Sequence, residues 1–209
     1  MDLEYDLLGW PSDGPKLRLD YRRFSYAGKF VMTNTGKAVV REVGVDDDGT
    51  GDDGSDDDDV YGDRADDEFD SDVVAAVAFN ADRTDPDTLW LRYVTVDRHH
   101  RGEGIGPELC RFVRDRAEAR GYERLRIAVN NPFAYEALYR AGFGYTGETT
   151  GIAELVLEHP RPADGSPERY QSGLEAFRER DLSVEEGDFL ESRVGSEPPA
   201  IDAVSESRG

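Results

Sequence analysis

The chain has 209 residues, 46 acidic against 25 basic side chains and a formal net charge of -21. Neutralising a phosphate backbone needs a concentrated basic face, so this composition excludes a nucleic-acid binder. One cysteine, Cys110, excludes an intrachain disulfide, and no apolar run approaches the roughly 20 residues needed to span a bilayer. The length implies one domain with appendages, and with no signal-peptide pattern at the acidic N-terminus the expected location is cytoplasmic.

In chain order, residues 16–22 alternate Leu17, Leu19 and Tyr21 with Arg18, Asp20 and Arg22, the period of a half-buried strand. Residues 23–33 fit a short helix or a loop equally, and residues 37–43 predict a second strand. Residues 46–72 are dominated by Asp and Gly and include Asp56-Asp57-Asp58-Asp59. Low hydrophobicity with concentrated like charge cannot offset the entropy of ordering, so a disordered insertion is expected. Asp46-x-Asp48 and Asp56-x-Asp58 offer hard oxygen ligands, but the full calcium-loop spacing through to a closing glutamate is not met, and no metal is expected.

Residues 73–79 and 89–96 predict strong strands joined by a turn over 82–87. Residues 107–120 predict an amphipathic helix with Leu109, Phe112, Val113 and Ala117 on one face and Gly121 at its end. Cys110 lies beside that stripe and is read as packing. Residues 124–129 predict a strand, after which Asn131 suits an N-cap, Pro132 the first helical position and Gly142 the stop. Residues 143–145 and 152–157 predict a last pair of strands. Two helices follow, over 167–180 with Tyr170, Leu174 and Phe177 aligned, and over 184–193; the end from Gly195 is expected to fray. This divides the chain into a domain over 1–159 and a helical extension over 160–209. The extension either covers an exposed face or pairs with a second copy as a homodimer.

The most informative stretch joins the strand over 90–96 to the helix after it: Asp97-Arg98-His99-His100-Arg101-Gly102-Glu103-Gly104-Ile105-Gly106-Pro107. The first amides of a helix have no carbonyl partners, and the helix dipole adds partial positive charge there. Glycines at 102, 104 and 106 remove side chains that would hold a diphosphate away from those amides. Pro107 suits the first helical position, so the helix is expected to begin there. Two commoner phosphate motifs fail. A P-loop needs a Lys and a hydroxyl where Pro107 and Glu108 stand, and a dinucleotide fingerprint needs an acidic residue where the next strand ends in Asn130 and Asn131.

Arg101-x-x-Gly104-x-Gly106 resembles the acyl-CoA pyrophosphate loop of the GNAT (Gcn5-related) N-acetyltransferases. Val94-Thr95-Val96 is similar to the end of that family's fourth strand. The run from Arg126 through Asn130, Tyr135, Tyr139, Gly142 and Phe143 resembles its second signature. The likeness runs from Val73 to Glu158, and more weakly over about the first forty residues. It implies an α/β (α+β) fold: a mixed, mostly antiparallel sheet of six to seven strands, splayed between strands 4 and 5 and flanked by helices. It also implies transfer of an acetyl group from acetyl-CoA, without a metal, to an amine on a small molecule or a protein.

By that resemblance, Arg101, Gly102, Glu103, Gly104, Ile105, Gly106 and Pro107 hold the diphosphate, largely through backbone. Val94 and Val96 pair with the pantetheine arm and acyl carbonyl, Asn130 contacts the arm, and Tyr139 protonates the departing thiolate. Relatives often carry a glutamate base on the fourth strand, but residues 90–96 contain no carboxylate. Tyr93, His99 and His100 are the alternatives. The missing carboxylate also supports a rival reading, a catalytically inactive CoA-binding sensor or interaction module. A third reading is a scaffold whose acidic insertion and tail recruit partners. The acidic, lysine-poor surface, with only Lys16, Lys29 and Lys37, resembles that of halophile proteins. In molar salt the Debye length falls to about 3 Å, which screens the repulsion of an anionic cofactor while short hydrogen bonds survive.

Overall fold

Seven residues in a row from Val73 to Phe79 are buried, and such an unbroken apolar run belongs to a strand covered on both faces. It forms β3 (Val73–Ala81), near the middle of a seven-stranded sheet. The computed structural model describes residues 2–12, 14–43, 69–163 and 166–201. Its other strands are β1 (Asp2–Gly9), β2 (Gly36–Val43), β4 (Thr88–Val96), β5 (Arg124–Val129), β6 (Gly144–Thr149) and β7 (Leu155–His159). The helices are α1 (Ile105–Ala119), α2 (Pro132–Arg140), α3 (Pro167–Arg178) and α4 (Val184–Glu191). The sheet order is β1-β2-β3-β4-β5-β7-β6, antiparallel throughout except for β4 with β5. This is the mixed α/β GNAT fold expected from the resemblance.

Both helices of the central unit pack on one face. Leu109, Val113 and Ala117 of α1 and Tyr135, Leu138 and Tyr139 of α2 join Val77, Leu91, Ile127 and Leu157 in the main core. Cys110 is buried there, and burial pushes its thiol up to about 12, an inert packing residue. On the other face, Leu17, Leu19, Phe24, Ala27 and Phe30 cover Val39, Val73, Ala76 and Ala78.

That second cluster corrects one expectation. Residues 16–22 form no strand; they cross the face of the sheet, pinned by the Leu17 N–H on the Phe30 carbonyl and the Asp70 N–H on the Arg18 carbonyl. Their alternation is real, because Leu17 and Leu19 point down at β2 and β3, but no ladder partner exists for them to pair with. The N-terminal strand is instead β1, whose Leu3, Tyr5 and Leu7 pack on the main core while Asp2, Glu4 and Asp6 face outward. Residues 23–33 resolve as turns with a 3-10 turn at Ala27–Lys29.

Smaller shifts have simple causes. Helix α1 begins at Ile105, two residues before Pro107, because Pro107 still falls in the first turn, where an N–H has no intrahelical acceptor. Ile152 is in a turn and 79% exposed, so β7 starts only at Leu155. Residues 44–68 of the acidic insertion lie outside the described residues; Asp72 at its end pairs with Arg41 at 2.6 Å. Beyond α4, the Gly195 N–H donates to Gln171 and Gln171 donates to the Ser196 carbonyl at 2.7 Å, so the chain stays docked past Gly195. Residues 202–209 lie outside the described residues.

Helices α3 and α4 join the same core. Tyr170, Leu174, Phe177 and Leu190 belong to the main cluster, and Arg193 forms an ion pair with Glu136, buried on α2. The Tyr135 hydroxyl donates to the Tyr170 carbonyl at 3.1 Å. Close approach there requires Gly173, where a Cβ would lie 2.1 Å from the Tyr135 hydroxyl. Alanine raises helix propensity by about 1 kcal/mol, but overpacking of this kind destabilises by about 1–3 kcal/mol. We expect Gly173→Ala to lower the urea midpoint despite its better propensity; an unchanged or raised midpoint would show that α3 does not seat on Tyr135.

Candidate active site

The site begins with a defect in β4. Tyr93 pairs with Ala78 and Leu91 with Phe79, so Arg92 is an extra residue bulged out of the ladder. At the same point β4 leaves β5, whose pairing ends at Leu91 with Ile127. A bulge bends its strand and sharpens the local twist. From Arg92 to Val96, the edge of β4 that faces β5 therefore has no ladder partner. Val94 and Val96 lie on this free stretch, half-buried against the main core.

Asp97 ends the strand. It is 1% exposed and accepts from the His99 N–H at 3.0 Å, the His99 ring at 2.9 Å and Arg23 Nε at 2.6 Å. Burial pushes the carboxyl up, but the His99 N–H and the Arg23 guanidinium outweigh it and hold Asp97 below the ordinary range. Arg23 also donates to the Ser71 carbonyl, and the Arg98 N–H donates to the Arg23 carbonyl. Sequence reasoning missed this clamp; the one local signal was an aspartate two residues before a histidine at a strand end.

The loop that follows needs its glycines for two reasons. Gly102 and Gly104 have φ of +87 and +83, where side chains are strained although nothing crowds them. Gly106 is ordinary helix, and there a Cβ would approach Val96 to 3.3 Å. Gly104 caps α1, the Glu108 N–H makes the first helical bond to the Gly104 carbonyl, and Pro107 has no N–H. The amides of Ile105 and Gly106 therefore face outward with no intrahelical acceptor. The Arg101 side chain turns back to the Ser25 hydroxyl at 3.1 Å, leaving its backbone in the loop, and Glu103 meets the His100 ring at 3.3 Å.

The remaining candidates separate. Asn130 is exposed at the end of β5, and Asn131 caps α2 by accepting the Ala134 N–H at 2.8 Å. Tyr93 stands beside the bulge, with its ring 5.9 Å from that of Tyr26 and 5.9 Å from the Lys29 ammonium. His99 and His100 lie in the 3-10 turn between β4 and the glycine loop. Beside Tyr26, a cleft of about 600 Å³ includes Tyr21, Phe24, Lys29 and Met32 in its lining.

Tyr139 lies away from the Tyr26 cleft, on α2. It is 1% exposed, and its hydroxyl accepts the Tyr145 N–H of β6 at 2.9 Å and lies 3.3 Å from the Tyr135 hydroxyl. Strands β5 and β7 lie between β6 and β4; three strand spacings amount to about 14 Å. Helix α2 thus turns the Tyr139 ring toward Tyr170 of α3, with its hydroxyl held by β6.

A parallel pair that parts before a glycine loop and a helix start defines the class of α/β protein to which the chain is compared. The chain matches the sequence model described as Acetyltransferase (GNAT) family over residues 41–145, half its length, and belongs to that family, which implies transferase chemistry. No curated protein matches it. Among solved structures it is similar to a nourseothricin acetyltransferase, at 18% identity and TM-score 0.45, covering 77% of this chain and 99% of that one. It is also similar to an IAA acetyltransferase from Bacillus cereus, at 18% identity and TM-score 0.43, over 75% and 98%. A third is the PaiA N-acetyltransferase from Thermoplasma acidophilum in complex with coenzyme A, at 18% identity and TM-score 0.37, over 43% and 54%. With TM-scores below 0.5, none of the three bears on what this chain does.

Two outcomes follow from the geometry. Because the folded pKa of Asp97 is depressed, its stabilisation is complete above the ordinary aspartate value and is lost as pH falls below that value through the lowered folded pKa. Asp97→Asn is expected to lower the thermal midpoint at pH 7 and to flatten that acid limb; an acid limb equal to the parent's would remove Asp97 as its source. Tyr139→Phe strands the Tyr145 N–H and is expected to reduce stability by about 1–3 kcal/mol in urea titration; an unchanged urea midpoint would show that the hydroxyl does not hold that N–H.

Proposed function

We propose that the chain is an N-acyltransferase that moves an acetyl group from acetyl-CoA to an amine by direct attack on the thioester. The observation that carries this reading is the coincidence, on one strand, of the Arg92 bulge, the loss of β5 pairing and the glycine loop at the strand end. In this reading the outward amides of Ile105 and Gly106, with the main chain of Arg101, Gly102, Glu103 and Gly104, receive the diphosphate. Pro107 holds the turn open without offering a donor. One charge at a helix N-terminus is worth about 0.3–2 kcal/mol, so convergent backbone bonds must add to it.

The thioester, when bound, supplies an activated carbonyl. The free main chain around Val94 and Val96 pairs with the arm and fixes donors toward the developing oxyanion; one such preorganised donor is commonly worth about 3 kcal/mol. Asn130 closes the arm from β5. The amine enters from the Tyr26 cleft beside Tyr93, attacks the carbonyl carbon and loses a proton as the C–S bond breaks and the thiolate becomes a thiol. In this reading Tyr93, beside the Tyr26 ring and the Lys29 ammonium, is the candidate base, with His99 and His100 as the alternatives. Amides carry no net charge to be screened, so this cradle suits an acidic protein working in concentrated salt.

A second reading, cofactor binding without turnover, is favoured by the burial of Tyr139 and the lack of a carboxylate on β4. Calorimetry with acetyl-CoA, followed by an acetyl transfer screen over small amines and peptide N-termini, separates the two. We expect binding and transfer in the parent, and at least about tenfold weaker binding in Gly104→Ala, whose φ of +83 disfavours a side chain by about 1–2 kcal/mol. Binding without transfer to any amine would establish the sensor, and no heat with acetyl-CoA in the folded chain would overturn both.

A further inference from the structure

Residues 166–201 lie outside the family match, yet one of their side chains reaches the end of the cleft. Asn130 stands one residue past the last pair of β5 with β7, Val129 with Leu155, and one residue before the N-cap of α2. Its carbonyl is beyond the ladder. Arg180, two residues after α3, supplies the missing partner: Nη1 donates to the Asn130 carbonyl at 3.1 Å, and Nη2 donates to the carbonyl of Ala153.

Ala153 belongs to the turn between β6 and β7 and has φ of +64, a region that a side-chain-bearing residue holds only under constraint from its surroundings. The guanidinium is itself held from behind. It lies 4.5 Å over the ring of Phe177, which is fully buried, and the Arg180 N–H closes on the Phe177 carbonyl at 3.0 Å. One planar fork thus ties the end of β5 to the β6–β7 turn, at the end of the sheet where β4 and β5 part and the glycine loop stands. It also sets a positive charge there in a chain of net charge -21.

We propose that Arg180 is a positioning residue of the cofactor cleft, fixing the β5 wall against which the arm of a CoA thioester lies. This rests on the cofactor reading above. Lysine keeps the charge but loses the two-pronged fork, so it separates geometry from electrostatics.

The test titrates the full chain, R180A and R180K with CoA and with acetyl-CoA by calorimetry, beside thermal melts of each. We expect R180A to bind CoA at least about tenfold more weakly and R180K to fall between it and the parent, with all three melting within about 3 °C of one another. A merely structural arginine would lower the melting point and leave CoA affinity unmoved. A parent that binds neither compound overturns the cofactor reading and this inference with it. A parent that binds, beside a folded R180A within twofold of it, overturns this inference alone. Should R180A fail to fold, R180K decides, and an affinity equal to the parent's overturns the proposal.

Discussion

The parting of β4 from β5 is the constraint on which the rest of the molecule turns. A parallel pair that stayed in register to its end would satisfy its own backbone and leave nothing for a ligand. Here the pairing stops at Leu91 and Ile127, and the Arg92 bulge bends β4 away from its neighbour. Main-chain groups that would otherwise lie in a ladder face an open wedge, and such groups are rarely left without a partner. The proposed thioester arm is the partner that this wedge fits.

An open wedge inside a sheet is stable only if both walls are held from outside. The β4 wall is held through Asp97, which the Arg23 guanidinium and the His99 N–H secure at the strand end, and through Arg101 on Ser25. Both anchors reach into the excursion over residues 14–35, which also buries Leu17, Leu19 and Phe30 against the sheet. The β5 wall is backed by β7 and by α2, and α3 and α4 are locked to α2 through Tyr135, Gly173 and the Glu136 pair with Arg193. The tyrosines of α2 belong to that second support. Tyr135 and Tyr139 of α2, Tyr145 of β6 and Tyr170 of α3 pack ring on ring and tie the three elements into one unit.

Elements whose own residues decide them were legible without the structure. Strands β3, β4 and β5 have the composition and period of buried strands, and α2 has its Asn131 cap, Pro132 start and Gly142 stop. The glycine loop was legible because a left-handed φ at two positions demands glycine whatever the surroundings. Strand β1 was not, since its alternation is carried by Leu3, Tyr5 and Leu7 among acids and is stabilised only by pairing with β2. Residues 16–22 carry the same alternation and are not a strand. A period of two records that one side is buried, not whether a neighbouring strand offers hydrogen bonds.

The sequence by itself determined the family, the order of strand, loop and helix around residues 90–120, and the residues of the backbone cradle, because each follows from local stereochemistry and residue type. Only the tertiary structure decided which side chains face the wedge. It turned Tyr139 toward β6, left Tyr93 alone among the candidate bases beside the bulge, and brought Arg23 and Arg180 from distant segments to the ends of β4 and β5. Those placements depend on which face each helix buries and on contacts between residues 50 or more apart in the chain, as Arg180 and Asn130 are, and no local pattern encodes them.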